Sequence, residues 1–306
     1  MSQEIPLSSS EIATLWMTYQ QKTMTQRILE YFIAQAEDDG AKEIMQDTHR
    51  QVVNYIEDIK TILQNEGAAI PVGYTEKDVN VGVPKLYDKV FDIMFLRLLK
   101  EISMGLHTLH LTMSYRKDMI SLYKELTAFT QSGYDKCVDY LQEKNVLPRP
   151  PAVSVPKTAK FAEGTDYMNG IHLFSSKRAL NTVEVAHIYY AIESNILGMQ
   201  MITGFAQVAS EPEVKKYFVK GKELAKKIVS DYSKILLESD IQTPATWGAK
   251  ATESKVAPFS DKLMMYCVSL FCSFGLGSNA LGTAFSLRGD LPLTLVSTAK
   301  DILTYG

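Results

Sequence analysis

Apolar residues recur along this chain at intervals of three and four, the spacing of one helical face, and nowhere alternate over the length a half-buried strand needs. The first periodic stretch runs from about Ser8 to Ala36, with Ile12, Trp16 and Tyr19 on one face and Met24, Ile28 and Phe32 extending it. Serines 8 to 10 ahead of Glu11 predict its N-cap. After Asp38-Asp39-Gly40 a second helix is expected from about Ala41 to Glu66, burying Ile44, Val52, Tyr55, Ile59 and Leu63 and stopping at Gly67. A third, about Lys85 to Ser114, and a fourth, about Asp118 to Lys144, follow before Pro148-Arg149-Pro150-Pro151 breaks the pattern.

The stretch Gly67 to Pro84 is too long for a tight turn and too rich in glycine and proline for a helix. Such a link carries the chain back along the bundle, so that the third helix lies parallel to the second, the topology of ferritin-like bundles. From Pro148 to Arg178 the chain is aperiodic, yet Phe161, Tyr167, Ile171, Leu173 and Phe174 call for burial, which predicts an extended, packed linker.

The pattern then starts again. Sliding the sequence by 173 residues pairs Leu7 with Leu180, Glu11 with Glu184, Phe32 with Phe205 and Asp58 with Asp231; Pro71 and Tyr74 meet Pro244 and Trp247. With one residue deleted, Ser114, Arg116 and Asp118 meet Ser286, Arg288 and Asp290. The matches fall at corresponding places in four successive elements, which is what duplication of one bundle requires. The expected organisation is therefore all-α: two tandem ferritin-like four-helix bundles related by internal duplication. The first spans 1–147, an extended linker spans 148–179, and the second spans 180–306 with a shortened last helix.

At 306 residues the chain exceeds what one core usually supports, in keeping with two bundles. A net charge of −3 gives no basic field for nucleic acid or anionic lipid. Cys137, Cys267 and Cys272 form neither an even set nor a Cys-x-x-Cys pair and sit in apolar stretches, so they read as packed thiols in a reducing compartment. The polar start, with Glu4 and Pro6, predicts no secretory leader and a cytoplasmic protein. Leu263 to Leu287 lacks charge over a membrane-spanning length, but Ser273, Ser278, Asn279 and Thr283 interrupt it, and its counterpart carries Asp92, Arg97, Lys100 and Glu101. A central helix buried on most faces is expected, and no membrane.

The segment Leu7 to Trp16, the run Arg178-Ala179-Leu180-Asn181 with Glu184 after it, the proline-aromatic links and Ser286-Leu287-Arg288-Gly289-Asp290 resemble one family over nearly the whole chain. It is the family of two-bundle ferritin-like proteins of spore-forming bacilli, distantly similar to spore coat protein F. The resemblance implies a ferritin-like fold, a sporulating source, association with the spore or its coat, and no established activity.

A ferritin-like bundle prompts a search for di-metal ligands, a carboxylate from each of two helices and Glu-x-x-His from each of the others. Asp58 and Asp231 have Thr61 and Lys234 where histidine is required. Glu184 and His187 have the spacing, but at the start of a first helix, and Glu11 has Thr14 there instead. His107 and His110 share a helical face level with Glu11 and form the best local metal candidate, although Ala280 and Thr283 replace them in the second half. His49 and His172 lack local partners. Gly275-Leu276-Gly277-Ser278-Asn279-Ala280 fits a dinucleotide fingerprint only formally, since it lies inside a helix; its small residues suit close helix approach. Arg116 and Arg288 are expected to pair with Asp88 and Asp261, and Asp118 and Asp290 to cap the fourth helices.

No nucleophile, acid–base pair or complete ligand set is visible, so no catalytic residue, metal ligand or cofactor is assigned. The expected function is a non-enzymatic structural or interaction protein with protein partners or self-association. The alternatives are a bundle binding iron or manganese, a degenerate di-metal oxidase, or a small-ligand binder using a bundle interior.

Overall fold

The computed structural model describes residues 5–88, 90–153, 155, 157–159, 161, 164–170, 177–244 and 250–306. Among the described residues the chain is all-α: α1 Ser9–Gln35, α2 Asp39–Asn65, α3 Phe91–Thr112, α4 Lys117–Glu143, α5 Thr182–Val208, α6 Pro212–Leu237, α7 Asp261–Phe285 and α8 Asp290–Tyr305. The only pairing of extended segments among them is two isolated bridges, Val79 with Phe259 and Tyr87 with Ala251. Two compact units result: Met1–Leu147 with Val208–Ser210 and Ala249–Cys267, and Pro148–Gln207 with Glu211–Gly248 and Val268–Gly306.

In the first unit α1 and α2 form one hairpin and α3 and α4 another. The end of α1 meets the start of α3, where Phe32 packs edge-on against Phe91 and Phe95. At the opposite end Ser10 Oγ, in the first turn of α1, donates to the carbonyl of Met113, just past α3. Helix α3 is thus antiparallel to α1 and parallel to α2, the direction a long α2–α3 link permits. Leu15, Val52, Ile56, Ile59, Leu63, Met119, Tyr123 and Leu126 form a core from α1, α2 and α4. Burying each such side chain stabilises the fold by roughly 1.5–3 kcal/mol before entropy is counted.

Three expectations need correction here. Helix α3 begins at Phe91, not near Lys85, because the backbone before it is engaged elsewhere: Leu86 N–H donates to the Tyr31 hydroxyl, and Asp88 N–H to the Lys250 carbonyl. Of the face expected for α1, Tyr19, Met24, Ile28 and Phe32 are buried, but Ile12 and Trp16 are over a third exposed, and Glu11, Thr14, Leu15 and Thr18 turn inward there instead. Phe161 is 98% exposed, against the burial its apolar ring suggests. Ile171, His172, Leu173, Phe174 and Trp247 lie outside the described residues.

The second unit has its own core, with Ile188, Ile192, Ile228, Tyr232, Leu236, Leu291 and Leu295 in contact. Helix α8 has 16 residues against 27 in α4. Its last tyrosine, Tyr305, stacks on Tyr217 at 4.5 Å and lies over Gly221, where a Cβ would come 2.1 Å from the hydroxyl, so only glycine admits that ring.

One buried carboxylate closes each unit at the same place. Ser8 caps α1 and Glu11 completes the capping box, taking the Ser8 N–H on Oε2 at 2.8 Å. Its other oxygen accepts the N–H groups of Tyr115 and Arg116, both at 2.8 Å, in the turn between α3 and α4. Those amides precede a helix and lack a helical acceptor. In the second unit Glu184 Oε1 accepts from Leu287 and Arg288 at 3.1 and 2.9 Å, and Oε2 from the Asn181 N–H at 3.0 Å. Arg178 adds a bidentate ion pair to Glu184 at 2.7 and 2.8 Å.

Burial alone would raise both carboxyls, but the bonds reverse its effect: the backbone of Arg116, Ser8 and Tyr115 brings Glu11 to about 2, and Arg178, Asn181 and Arg288 bring Glu184 to about 2. A carboxyl lowered in the fold lends stability that is complete above its unfolded value of 4.5 and is lost as pH falls through the folded value. Glu11→Gln and Glu184→Gln should each cost about 2–4 kcal/mol at pH 7, and thermal melts of the variants should converge on wild type as pH falls from 4.5 toward 2.

Candidate functional site

The interior of the first unit holds basic groups where a helical bundle would ordinarily place aliphatic ones. Lys22 of α1 and Lys100 of α3 are only 3% and 4% exposed. Their ammonium nitrogens lie 5.9 and 3.8 Å from the centre of one ring, Phe129 of α4. Gly133, one turn beyond Phe129, makes the space: a Cβ there would sit 2.7 Å from Lys100 Cε. Among the described residues neither lysine has a carboxylate within ion-pair distance.

Two imidazoles on α3 share this interior. His107 is fully buried, its Nδ1 3.1 Å from the Thr130 hydroxyl and its Nε2 without any hydrogen-bond partner. His110 Nδ1 lies 3.4 Å from the Thr18 hydroxyl, which also meets the Tyr123 hydroxyl at 3.2 Å. Burial pushes all four bases down, Lys100 to about 7, His110 to about 4, and Lys22 and His107 well below their ordinary values; repulsion adds to this, from Lys136 on Lys100, from Lys100 on Lys22, and from Lys22 on both imidazoles. At the positions 173 further along the chain stand Asn195, Ser273, Ala280 and Thr283, so the basic interior has no counterpart in the second half.

These groups do not fit a di-metal centre. A di-metal centre needs several carboxylates to balance its charge, and those of this bundle are committed elsewhere. Glu11 is saturated by the donors described above. Asp58 is exposed, and Asp231 is half-buried beside Lys227 and Lys234. Glu184 is held by Arg178, while His187 stacks on Phe285 with centroids 6.1 Å apart, so this Glu-x-x-His spacing does not converge. His107 and His110 turn to different helices, α4 and α1. Among the described residues no three His, Cys, Asp or Glu side chains gather as a metal site would require. His49 lies 3.4 Å from Glu30.

Several smaller expectations change. Arg116 pairs with Asp118 and Glu66, and Arg288 with Asp290, not with Asp88 and Asp261. Asp118 and Asp290 therefore serve as partners of these arginines in the first helical turn, while Arg116 and Gly289 occupy the N-cap positions. The glycine-rich run of α7 lies inside a helix, but Gly277 faces open space and Gly275 makes only ordinary contact with Ile302. Asn279 of that run is buried, accepting the Tyr232 hydroxyl at 2.6 Å. The thiols are free, and burial raises Cys137 to about 12 and Cys272 to about 11.

Helix α7 is long and apolar enough, by length and composition, to cross a membrane. Only 28% of its most apolar window is buried, so the expectation of burial on most faces does not hold. Leu281 and Phe285 of α7 and Leu293, Val296 and Leu303 of α8 are exposed.

The elements and their packing define an all-α protein of helical bundles. The chain belongs to the DUF3231 family, described as proteins of unknown function, whose model matches it twice, over residues 1–158 and 168–306. No curated protein matches it. It is similar to a solved structure of a "putative spore coat protein" from Bacillus halodurans C-125, at 14% identity and a TM-score of 0.45, over 50% of this chain and 98% of that one.

The lysine interior makes a prediction about pH. A base lowered in the fold is neutral there while the unfolded chain still binds its proton, so stability rises with pH between the folded and unfolded values, for Lys100 from about 7 to 10.5. Denaturant melts of wild type should strengthen by about 1.4 kcal/mol per pH unit from this group across pH 7–9, and Lys100→Met should remove that increment.

Proposed function

We propose that this protein is a non-enzymatic structural or interaction protein made of two ferritin-like four-helix bundles that descend from one duplicated unit. The observation that carries the non-enzymatic reading is the pair of lysines over Phe129. They fill the first bundle's interior with groups that oppose metal-dependent chemistry. Duplication is supported by the twofold match of the family model and by Glu11 and Glu184, which make the same bonds to the same turn from positions 173 residues apart. The parallel course of α2 and α3 across a long link supports the ferritin-like topology.

Protein partners or self-association are part of this reading, supported by the exposed leucines and Phe285 of α7 and α8. The reading includes a cytoplasmic site without nucleic-acid or membrane partners; the net charge of −3, which gives no basic field, and the polar residues within α7 support it, and the small buried share of α7 weighs against it. Association with the spore or its coat rests on the sequence resemblance alone. The competing reading, an iron or manganese protein, draws on His107 and His110.

Metal analysis of protein purified without chelator separates the two. The expected result is far less than one iron or manganese per chain, unchanged in the His107→Ala, His110→Ala variant. Stoichiometric metal that disappears in that variant would overturn the proposal.

A further inference from the structure

The buried bases of the first unit leave a chemical demand unmet. Lys22 and Lys100 bring two amines to one aromatic ring with no carboxylate beside either among the described residues. His107 adds a ring nitrogen, Nε2, that is fully enclosed and has no partner. A buried polar atom without a partner costs about 1–3 kcal/mol. One unpartnered ring nitrogen and two buried amines without a carboxylate, from α1 and α3, share the interior beside Phe129 and have a common solution.

We propose that the interior of the first unit is a site for a small monovalent anion of chloride size, held by the Lys22 and Lys100 ammonium groups and the His107 Nε2–H. His107 Nδ1 lies 3.1 Å from the Thr130 hydroxyl, and in the tautomer in which Nδ1 accepts from that hydroxyl the ring hydrogen sits on Nε2 as a third donor. Phe129 supplies a ring that both ammonium groups approach, so the cations are partly solvated before the anion arrives. Enclosure sets the size of the occupant: with Lys22, Lys100, His107 and Thr130 between 0% and 4% exposed, a chain-bearing carboxylate has no path that keeps its tail in solvent.

Binding is coupled to protons. The groups facing the site are Lys22 from α1, Lys100, His107 and His110 from α3, and from α4 the Cys137 thiol, which burial keeps neutral at physiological pH; Lys136 of α4, half exposed, is paired with Asp47 and repels Lys100 from further off. None is an anion there, so each proton taken up by an amine raises the affinity for the ligand, and the ligand in turn raises the pH at which the amines protonate. Nothing in this inference depends on the structural reading proposed above. A metal-free protein with an empty interior would refute the anion site and leave that reading intact.

The test is calorimetry of the full chain at constant ionic strength, with chloride replacing gluconate. At pH 6, 100 mM chloride should raise the Tm by ~2 °C or more, and at pH 9 the rise should vanish. The Lys22→Met, Lys100→Met double variant should show no chloride-specific rise at either pH. Formate should act weakly, and acetate not at all. Crystals of wild type grown in bromide at pH 6 should show an anomalous peak within ~3.5 Å of both lysine nitrogens. That readout stands even where the variant does not fold. An equal chloride response in wild type and variant, no response at pH 6, or bromide crystals without that peak would each overturn the proposal.

Discussion

Everything in each unit is anchored by a carboxylate removed from water. Glu11 and Glu184 sit at the start of a unit's first helix, where partial positive charge gathers, and accept the amides that open its last helix. Without them the turn after the third helix would leave two donors unpaired beside the core. That single residue joins sequence positions more than a hundred apart and fixes the end of the bundle. From that end the antiparallel course of first and third helices follows, and with it which residues of α1 and α3 face inward.

The inward face of α1 is unusual in mixing many polar residues with its apolar ones. Glu11, Thr14, Thr18, Gln21, Lys22 and Thr25 are all buried, and most find partners: Thr18 with His110 and Tyr123, Gln21 with Ser103. Buried networks of this kind specify one arrangement more sharply than aliphatic packing does, and they make each unmet group conspicuous. His107 Nε2 is such a group, and Lys22 and Lys100 beside it have the Phe129 ring but no carboxylate among the described residues. Their position gives the interior of the first unit a basic character, and the positions 173 residues further on hold Asn195, Ser273 and Ala280 instead.

Much of this was legible in the sequence. The limits of α1, α2 and α4 fell within a few residues, since Ser8, Asp38, Gly67 and Pro148 punctuate them, while α3 starts six residues late; Glu11 and Arg116 recurred as Glu184 and Arg288, a match whose role the sequence did not disclose. The bonds it makes were not legible, because a capping box looks local and nothing in spacing says that the second oxygen reaches a distant turn. The lysines were hidden for a related reason. A lysine within Gln20-Gln21-Lys22-Thr23 reads as a solvated face, and although Tyr19, Met24, Ile28 and Phe32 are buried as their spacing suggests, Ile12 and Trp16 at the start of the stripe are not. The available signal was Lys100, a charge inside the apolar run Phe91 to Leu111, together with Gly133, a mid-helix glycine that nothing local explained.

The claim that one buried carboxylate organises each unit can be read directly from amide hydrogen exchange. The N–H groups of Tyr115, Arg116, Leu287 and Arg288 lie in turns and have no helical acceptor, yet each donates to an enclosed oxygen. The account predicts that these four amides exchange as slowly as those in the middle of the helices, through unfolding of the whole unit. Exchange at the rate of the surrounding turn residues would contradict it.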